Sequence, residues 1–183
     1  GLTIGKSCEV YPKVGGRLRL FSLFWDRISS DQWIRDAVRG DKIEFNREPI
    51  QYILPNKMPF SREEKECISV AVGKLLGKGA IRRASFDPNQ FLSNLFTIPK
   101  KGDEPLPLIN LKPLNHFVEY HHFKMEGLNY ILDLIRSNDY MITMDLKDAY
   151  LSVPIHADYS KYLRFEWESD LWEIGRASCR ERV

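Results

Sequence analysis

Residues 61 to 79 specify a helix at both of its ends, and the rest of the chain must be fitted around it. Ser61 followed by Glu64 is a capping-box pair. The hydroxyl accepts from an orphan amide of the first turn, and the carboxylate returns to the serine's own amide. Ile68, Val72, Leu75 and Leu76 run as one apolar stripe until Gly77 and Gly79 end the helix. Short strand patterns follow at 80–83, 92–98 and 106–110. "EGLNYILDLIRSND" reads as a further helix, with Leu128, Ile131, Leu132 and Ile135 on one face and Asn138 as its stop. Tyr140 to Leu146 and "KYLRFEW" (161–167) read as strands. This alternation lacks the even spacing of a doubly wound sheet and predicts an α+β fold.

Upstream, Leu18, Phe21, Trp25 and Ile28 fall at helical spacing after the Gly15–Gly16 break. Ser30 is placed to cap a second short helix bearing Trp33, Ile34, Ala37 and Val38, which stops at Gly40. So short a helical pair cannot bury its own apolar stripe and is expected to pack on a neighbour. Pro49, Pro55 and Pro59 then mark an extended linker. Trp25 and Trp33 suit packing better than stacking on bases.

An apolar share of 43% is ordinary for a globular core, and 12% aromatic residues argue against disorder. No apolar run of membrane-spanning length occurs. The chain starts at Gly1 without a signal-peptide pattern and reads as an internal fragment. Cys8, Cys67 and Cys179 include no C-x-x-C pair. They support neither a disulfide framework nor a zinc site, and point to an intracellular setting, cytoplasm or nucleus. His121 and His122 have no second ligand pair at suitable spacing.

A net charge of +2 proves no partner, but charge is unevenly spread. From Ser61 to Lys101, eight Lys/Arg face four Asp/Glu. That segment is either a solvated helix face or an electrostatic track for a phosphate backbone.

The chemistry converges on "YMITMDLKDAYLSVPI" (140–155), where an apolar run stops at Asp145 and Asp148. A carboxylate at the end of a rigid strand is held still, which suits magnesium, a hard cation typically offered one or two carboxylates. It is equally what a strand looks like when it reaches water. Asp148 suits a turn or helix cap better than a second metal ligand.

Four segments in order, "FLSNLFTIPKKGDEPLPLINLKPLN" (91–115), "HFKMEGLNYILDLI" (122–135), "MDLKDAYLSVPI" (144–155) and "KYLRF" (161–165), resemble the N-terminal half of a retroelement reverse transcriptase. The "HFKMEGL", "LKDAY" and "KYLRF" wording is most similar to DIRS-type, LTR-like retrotransposons. The resemblance covers roughly residues 60 to 172, and 15 to 58 more weakly. It implies part of a right-hand polymerase fold, fingers plus the start of the palm (59–172), after a helical leader and linker (1–58). By position, Asp145 matches the first catalytic carboxylate, which holds Mg2+ (or Mn2+), and Leu146 adds a backbone carbonyl to one ion. Asp148 and Ala149 match positions whose amides meet an incoming dNTP, and Tyr150 matches the steric gate against ribose. Lys100 and Lys101 match the fingers hairpin that approaches the γ-phosphate. Asn110, Lys112 and Asn115 match the segment along the template strand. The implied partners are an RNA or DNA template with its primer, dNTP, other parts of a retroelement polyprotein, and no membrane.

Two departures qualify this. The family's "P-K-K-D-G-S-x-R-P-V" reads "P-K-K-G-D-E-P-L-P-L" here, so Leu106 stands where an arginine contacts the nucleotide phosphates. Later palm signatures, the "L-P-F-G-L"-like segment and the Y-x-D-D hairpin, do not occur in the sequence. With one of three carboxylates, this chain alone is expected to be inactive. The last stretch, "EIGRASCRERV" (173–183), matches no family element and reads as the in-frame translation of a sequencing adaptor. The competing functions are a non-catalytic nucleic-acid-binding remnant and a decayed open reading frame without a selected role.

Overall fold

The computed structural model describes residues 13–100, 103–122, 134–140, 142–143 and 145–175. Its fold is mixed α+β. A 3-10 turn (Arg17–Phe21) leads into α1 (Ser22–Ile28), and α2 (Gln32–Gly40) folds back beside it. The cap of α2 is Asp31, whose carboxylate accepts from the Trp33 amide at 2.9 Å, and not the expected Ser30. Asp31 is the residue in extended backbone next to the first turn, so its side chain is the one that reaches the free amides. The pair is tied by Arg39 to Asp26 at 2.6 Å. Only Val38 and Gly40 of α2 are buried, while Leu23, Phe24 and Trp33 face outward. Trp33, at 66% exposed, is not packed as its spacing suggests.

Helix α3 (Arg62–Gly77) forms as its ends dictate. Ser61 and Glu64 make both capping-box bonds, at 3.2 and 2.8 Å. Ile68 and Val72 are buried, whereas Leu76 turns to solvent. Gly79 takes the left-handed conformation (φ 68°) that lets the chain reverse, and Ala80 N–H closes the end on Leu75 O at 2.9 Å.

Two sheets follow. β1 (Ile81–Arg83), β2 (Leu92–Ser93), β5 (Arg164–Trp167) and β6 (Asp170–Ile174) form a four-stranded sheet in the order β1-β6-β5-β2. β2 runs parallel to β5, and the other pairs are antiparallel. Glu168 and Ser169 (φ 48° and 67°) make the tight turn between β5 and β6, both positive as a right-twisted hairpin requires. β3 (Leu95–Lys100) and β4 (Asp103–Ile109) form a separate hairpin with an irregularity between Ile98 and Lys100. The described residues also form short helices α4 (Lys112–Asn115) and α5 (Ala157–Ser160), with a 3-10 turn (Ala149–Ser152) between them.

The core gathers Ile68 and Val72 of α3 with Ile81, Phe91, Leu95, Leu114, Tyr162, Leu163, Phe165, Trp172 and Ile174. Each fully buried large side chain of this kind contributes roughly 1.5–3 kcal/mol by removal from water. The leader is stitched to this body: Asp41 N–H donates to Pro154 O, Asn46 N–H to Phe117 O, both at 2.8 Å. Gln51 bonds Leu92 through both its amide atoms, at 2.9 and 2.8 Å. No helix among the described residues is long and apolar enough to cross a membrane.

Three expectations need correction or placing. The strand expected from Tyr140 to Leu146 is not formed at its described residues, where Tyr140, Ile142 and Leu146 are strongly exposed. Apolar, β-prone composition makes a strand only when another strand supplies the ladder, and among the described residues neither sheet has one beside this run. The boundary expected after Trp172 falls inside β6, since Glu173 and Ile174 are strand residues exposed by only 3% and 4%. The helix expected before Asn138 lies mostly outside the described residues, though Asn138 itself has the left-handed backbone (φ 74°) of a stop.

Candidate functional site

The turn around Asp148 is built from three distant pieces of chain. Asp148 is left-handed (φ 57°, ψ 29°) and leads into a 3-10 turn, Ala149–Ser152. Leu151 N–H closes that turn on Asp148 O at 3.0 Å. Lys78, just past the end of α3, places its ammonium 2.7 Å from Asp148 Oδ1. Gly16 N–H donates to Leu151 O at 2.7 Å from the other side. Ala149 is half-buried and Tyr150 is 64% exposed. Asp148 therefore works as a turn residue held by a lysine. Asp145 is exposed, and its carboxylate has no hydrogen bond or ion pair with the described residues. Leu146 is 74% exposed. No group of three potential metal-ligating side chains among the described residues includes Asp145.

The second expected group lies on the hairpin. Lys100 pairs in register with Asp103 near its tip, while Lys101 lies outside the described residues. Leu106 sits opposite Ile98, and the two are 47% and 45% exposed. An apolar cross-strand pair thus occupies the face where the resemblance expects a cation. The third group leaves the hairpin together. Asn110 N–H donates to Asn94 O at 2.8 Å, and its side-chain oxygen accepts from Lys112 N–H at 3.2 Å. Leu114 is buried beneath α4, which turns Lys112 and Asn115, three residues apart, to solvent.

Helix α3 connects these groups. Glu64, in its first turn, contacts Thr97 of β3, and Cys67 Sγ donates to Pro105 O of β4 at 2.7 Å. Lys78, at the other end, holds the Asp148 turn. At 1.5 Å per residue, these attachments are about 20 Å apart along the axis. The Glu64 carboxyl is held below its ordinary value by the Thr97 hydroxyl and the Ser61 amide and hydroxyl.

The basic segment divides. Arg82 donates twice to Glu173 Oε1, at 2.9 and 2.6 Å. Arg83 pairs with Asp170 at 2.8 Å and lies over the Trp172 ring at 5.6 Å. With Lys78 on Asp148, these three cations are committed to structure, whereas Arg62, Lys65 and Lys74 face solvent on α3. Glu173 also receives Arg164 at 2.9 and 2.6 Å and the Ser160 hydroxyl at 2.9 Å. Burial raises its pKa, but the Arg82, Arg164 and Ser160 hydrogen bonds outweigh that and hold it below the ordinary 4.5. This cluster lines a cleft of about 580 Å³ with Asp87, Asp158 and Lys161.

Sequence spacing missed several partnerships. Lys78 and Asp148 are 70 positions apart, and Arg82 and Glu173 are 91 apart, so no local signal links them. His121 does meet carboxylates: Glu44, Glu119 and His121 place ligand atoms within 4.8 Å of one another, all exposed. The link is the Glu119 N–H bond to Glu44 O at 2.8 Å, which a search along one segment cannot see.

No family model matches the chain. It is 30% identical over 128 residues to the Pol polyprotein of equine infectious anemia virus (strain Wyoming), covering 70% of this chain and 11% of that protein. It is 27% identical over 112 residues to the Gag-Pol polyprotein of bovine immunodeficiency virus (strain R29), covering 58% of this chain and 7% of the polyprotein. The chain thus spans about a tenth of the length of the curated relatives it matches. Among solved structures, the native prototype foamy virus protease-reverse transcriptase superposes with a TM-score of 0.58 at 15% identity, over 76% of this chain and 18% of that one. The foamy viral protein in complex with an RNA/DNA hybrid gives a TM-score of 0.58 at 14% identity, over 76% and 18%. The chain is therefore related to retroviral Pol polyproteins over the matched stretch, and its fold is that of part of the foamy viral protease-reverse transcriptase.

Proposed function

We propose that this chain is the fingers and first palm segment of a retroelement RNA-directed DNA polymerase, of DIRS type by its motif wording. The observation that carries the reading is the pairing of the Pol relationship with the "MDLKDAY" segment, whose Asp145 is exposed and without a partner among the described residues. The parent reaction is attack of a primer 3′-hydroxyl on the α-phosphate of a dNTP, releasing pyrophosphate. Asp145 is a free hard-oxygen donor and fits a divalent ion that takes one or two protein carboxylates. When bound, magnesium would activate the attacking hydroxyl and stabilise the leaving pyrophosphate. Asp145, with the Leu146 carbonyl, would hold that ion. The Asp148 and Ala149 amides would receive the triphosphate, Tyr150 would exclude a ribose 2′-hydroxyl, and Lys100 and Lys101 would approach the γ-phosphate. Asn110, Lys112 and Asn115 would follow the template. A foamy viral neighbour solved with an RNA/DNA hybrid supports a nucleic-acid partner of this kind.

The 183 residues supply one of the family's three carboxylates, so incorporation is expected only from a longer copy containing the remaining palm. In such a copy, primer extension on poly(rA)/oligo(dT) should require Asp145. Incorporation that survives Asp145→Asn would sink the reading.

One observation favours a second reading, a nucleic-acid-binding remnant without chemistry. Leu106 lies in an apolar pair with Ile98 and can neither donate to phosphate nor stabilise developing charge. Under the polymerase reading, Leu106→Arg lowers the Michaelis constant for dNTP or raises turnover. Salt-sensitive primer–template binding without incorporation, in both forms of a complete copy, would instead favour the remnant.

A further inference from the structure

We propose that Lys78 is a positioning residue that, with Gly15 and Gly16, latches the turn carrying Ala149 and Tyr150 into its binding conformation. The nucleotide half of this inference rests on the polymerase reading; the mechanical half does not. Asp148 is in the left-handed region, which a side chain-bearing residue keeps only when its surroundings hold it there. A left-handed residue entering a helical turn lines successive amides along one concave side, a shape suited to anions.

Three strands of chain meet to hold it. The Lys78 ammonium takes Asp148 Oδ1 at 2.7 Å, with the two side chains only 37% and 20% exposed. Gly15 N–H donates to the Lys78 carbonyl at 3.0 Å, and Gly16 N–H to Leu151 O at 2.7 Å. The leader therefore bridges the lysine's backbone to the far side of the turn. Contact is close enough to demand glycine: a Cβ on Gly15 would lie 2.3 Å from the Gly79 carbonyl oxygen. The pairing has an electrostatic consequence too. Neutralised by Lys78, the Asp148 carboxylate no longer opposes a polyphosphate approaching the neighbouring amides.

Hydrogen exchange on the 183-residue chain tests the latch directly. Lys78→Met should speed exchange of the Leu151 amide, which closes the turn on Asp148 O, roughly tenfold, the scale of losing one charge-assisted bond. Amides of β5 and β6 should be unchanged, and Lys78→Arg should restore protection. Unchanged exchange in Lys78→Met, or equal loss throughout the sheet, overturns the latch. A complete copy that incorporates dNTP tests the nucleotide half. There Lys78→Met should raise the Michaelis constant for dNTP about tenfold with turnover altered less than threefold, and the exchanged pair Lys78→Asp with Asp148→Lys should recover part of the loss. Equal falls in both parameters without recovery overturn that half. A complete copy silent on every primer–template counts against the polymerase reading, and the exchange result still decides the latch.

Discussion

Phe165 and Leu146 are both large apolar residues, yet Phe165 is 1% exposed and Leu146 is 74% exposed. Phe165 lies on β5, which has β6 on one side and β2 on the other. Leu146 follows a run of equally strand-like composition that finds no ladder among the described residues. The residues that build the body are thus completed within it, and the residues that would do chemistry stand at its margin. Composition sets what a segment prefers; the neighbours within reach decide whether it obtains it.

The sharpest way to break this contrast is to remove the core. Phe165→Ala should cost about 3–5 kcal/mol, transfer and cavity together, read as a lower urea midpoint at unchanged slope. A loss below about 1 kcal/mol would mean that the sheet is not the stabilising unit.

Next in size is the charge beneath the sheet. Glu173 is 3% exposed and receives two arginines, one of which, Arg164, is itself buried. Glu173→Gln replaces the carboxylate by one neutral acceptor and an NH2 donor, so Arg164 keeps only uncharged acceptors, Ser85 O and Gln90 among them. The expected loss at neutral pH is about 2–3 kcal/mol, an underpaired buried charge softened by the exposed Arg82 partner. The pH dependence has a definite sign. A carboxyl held below 4.5 in the folded state contributes fully above that value and loses its contribution as pH falls through the depressed one. Wild-type stability should drop in that acid window, and Glu173→Gln should flatten the drop. Parallel acid profiles for the two proteins would remove Glu173 from the account.

What the sequence disclosed follows the same division. α3 was legible because its caps are local: Ser61, Glu64 and the glycines lie within one stretch. β5 was legible as an apolar run, and the irregular alternation gave α+β correctly. β6 was not legible: the last expected strand ends at Trp167, and Glu173 falls in the adaptor-like stretch, its partners Arg82 and Arg164 lying 91 and 9 positions away. Asp148 lies at a turn, one of the two placements that its sequence context suits, but its Lys78 partner is hidden by 70 positions of chain. The strand expected from Tyr140 to Leu146 does not form at its described residues, since an apolar composition says nothing about a partner's presence. Helix α3 itself was legible, but its attachments to the hairpin and to the Asp148 turn, through Glu64, Cys67 and Lys78, were not.

A smaller test addresses α3, whose ends carry both attachments. Ser61→Ala removes the acceptor for the Glu64 amide and should cost about 1 kcal/mol, seen as a shifted thermal midpoint. Because Glu64 also contacts Thr97, the hairpin amides near Thr97 should exchange faster while those near Asp148 stay unchanged. Uniform acceleration would show that the helix transmits the loss to both of its ends.

The smallest expected effect lies in the marginal run itself. Leu146→Asn replaces an apolar side chain that is already in water, so the folded state loses almost no burial. Stability of this chain should change by less than about 0.5 kcal/mol. Solubility should rise, because an exposed apolar run without a ladder among the described residues is a template for association with another copy. Light scattering against concentration reads that effect separately from a urea melt. A loss of 2 kcal/mol or more, comparable with a core substitution, would mean that Leu146 is buried in solution and that the run has found a partner within this chain. The contrast with Phe165 would then be one of degree, and the segment bearing Asp145 would belong to the body after all.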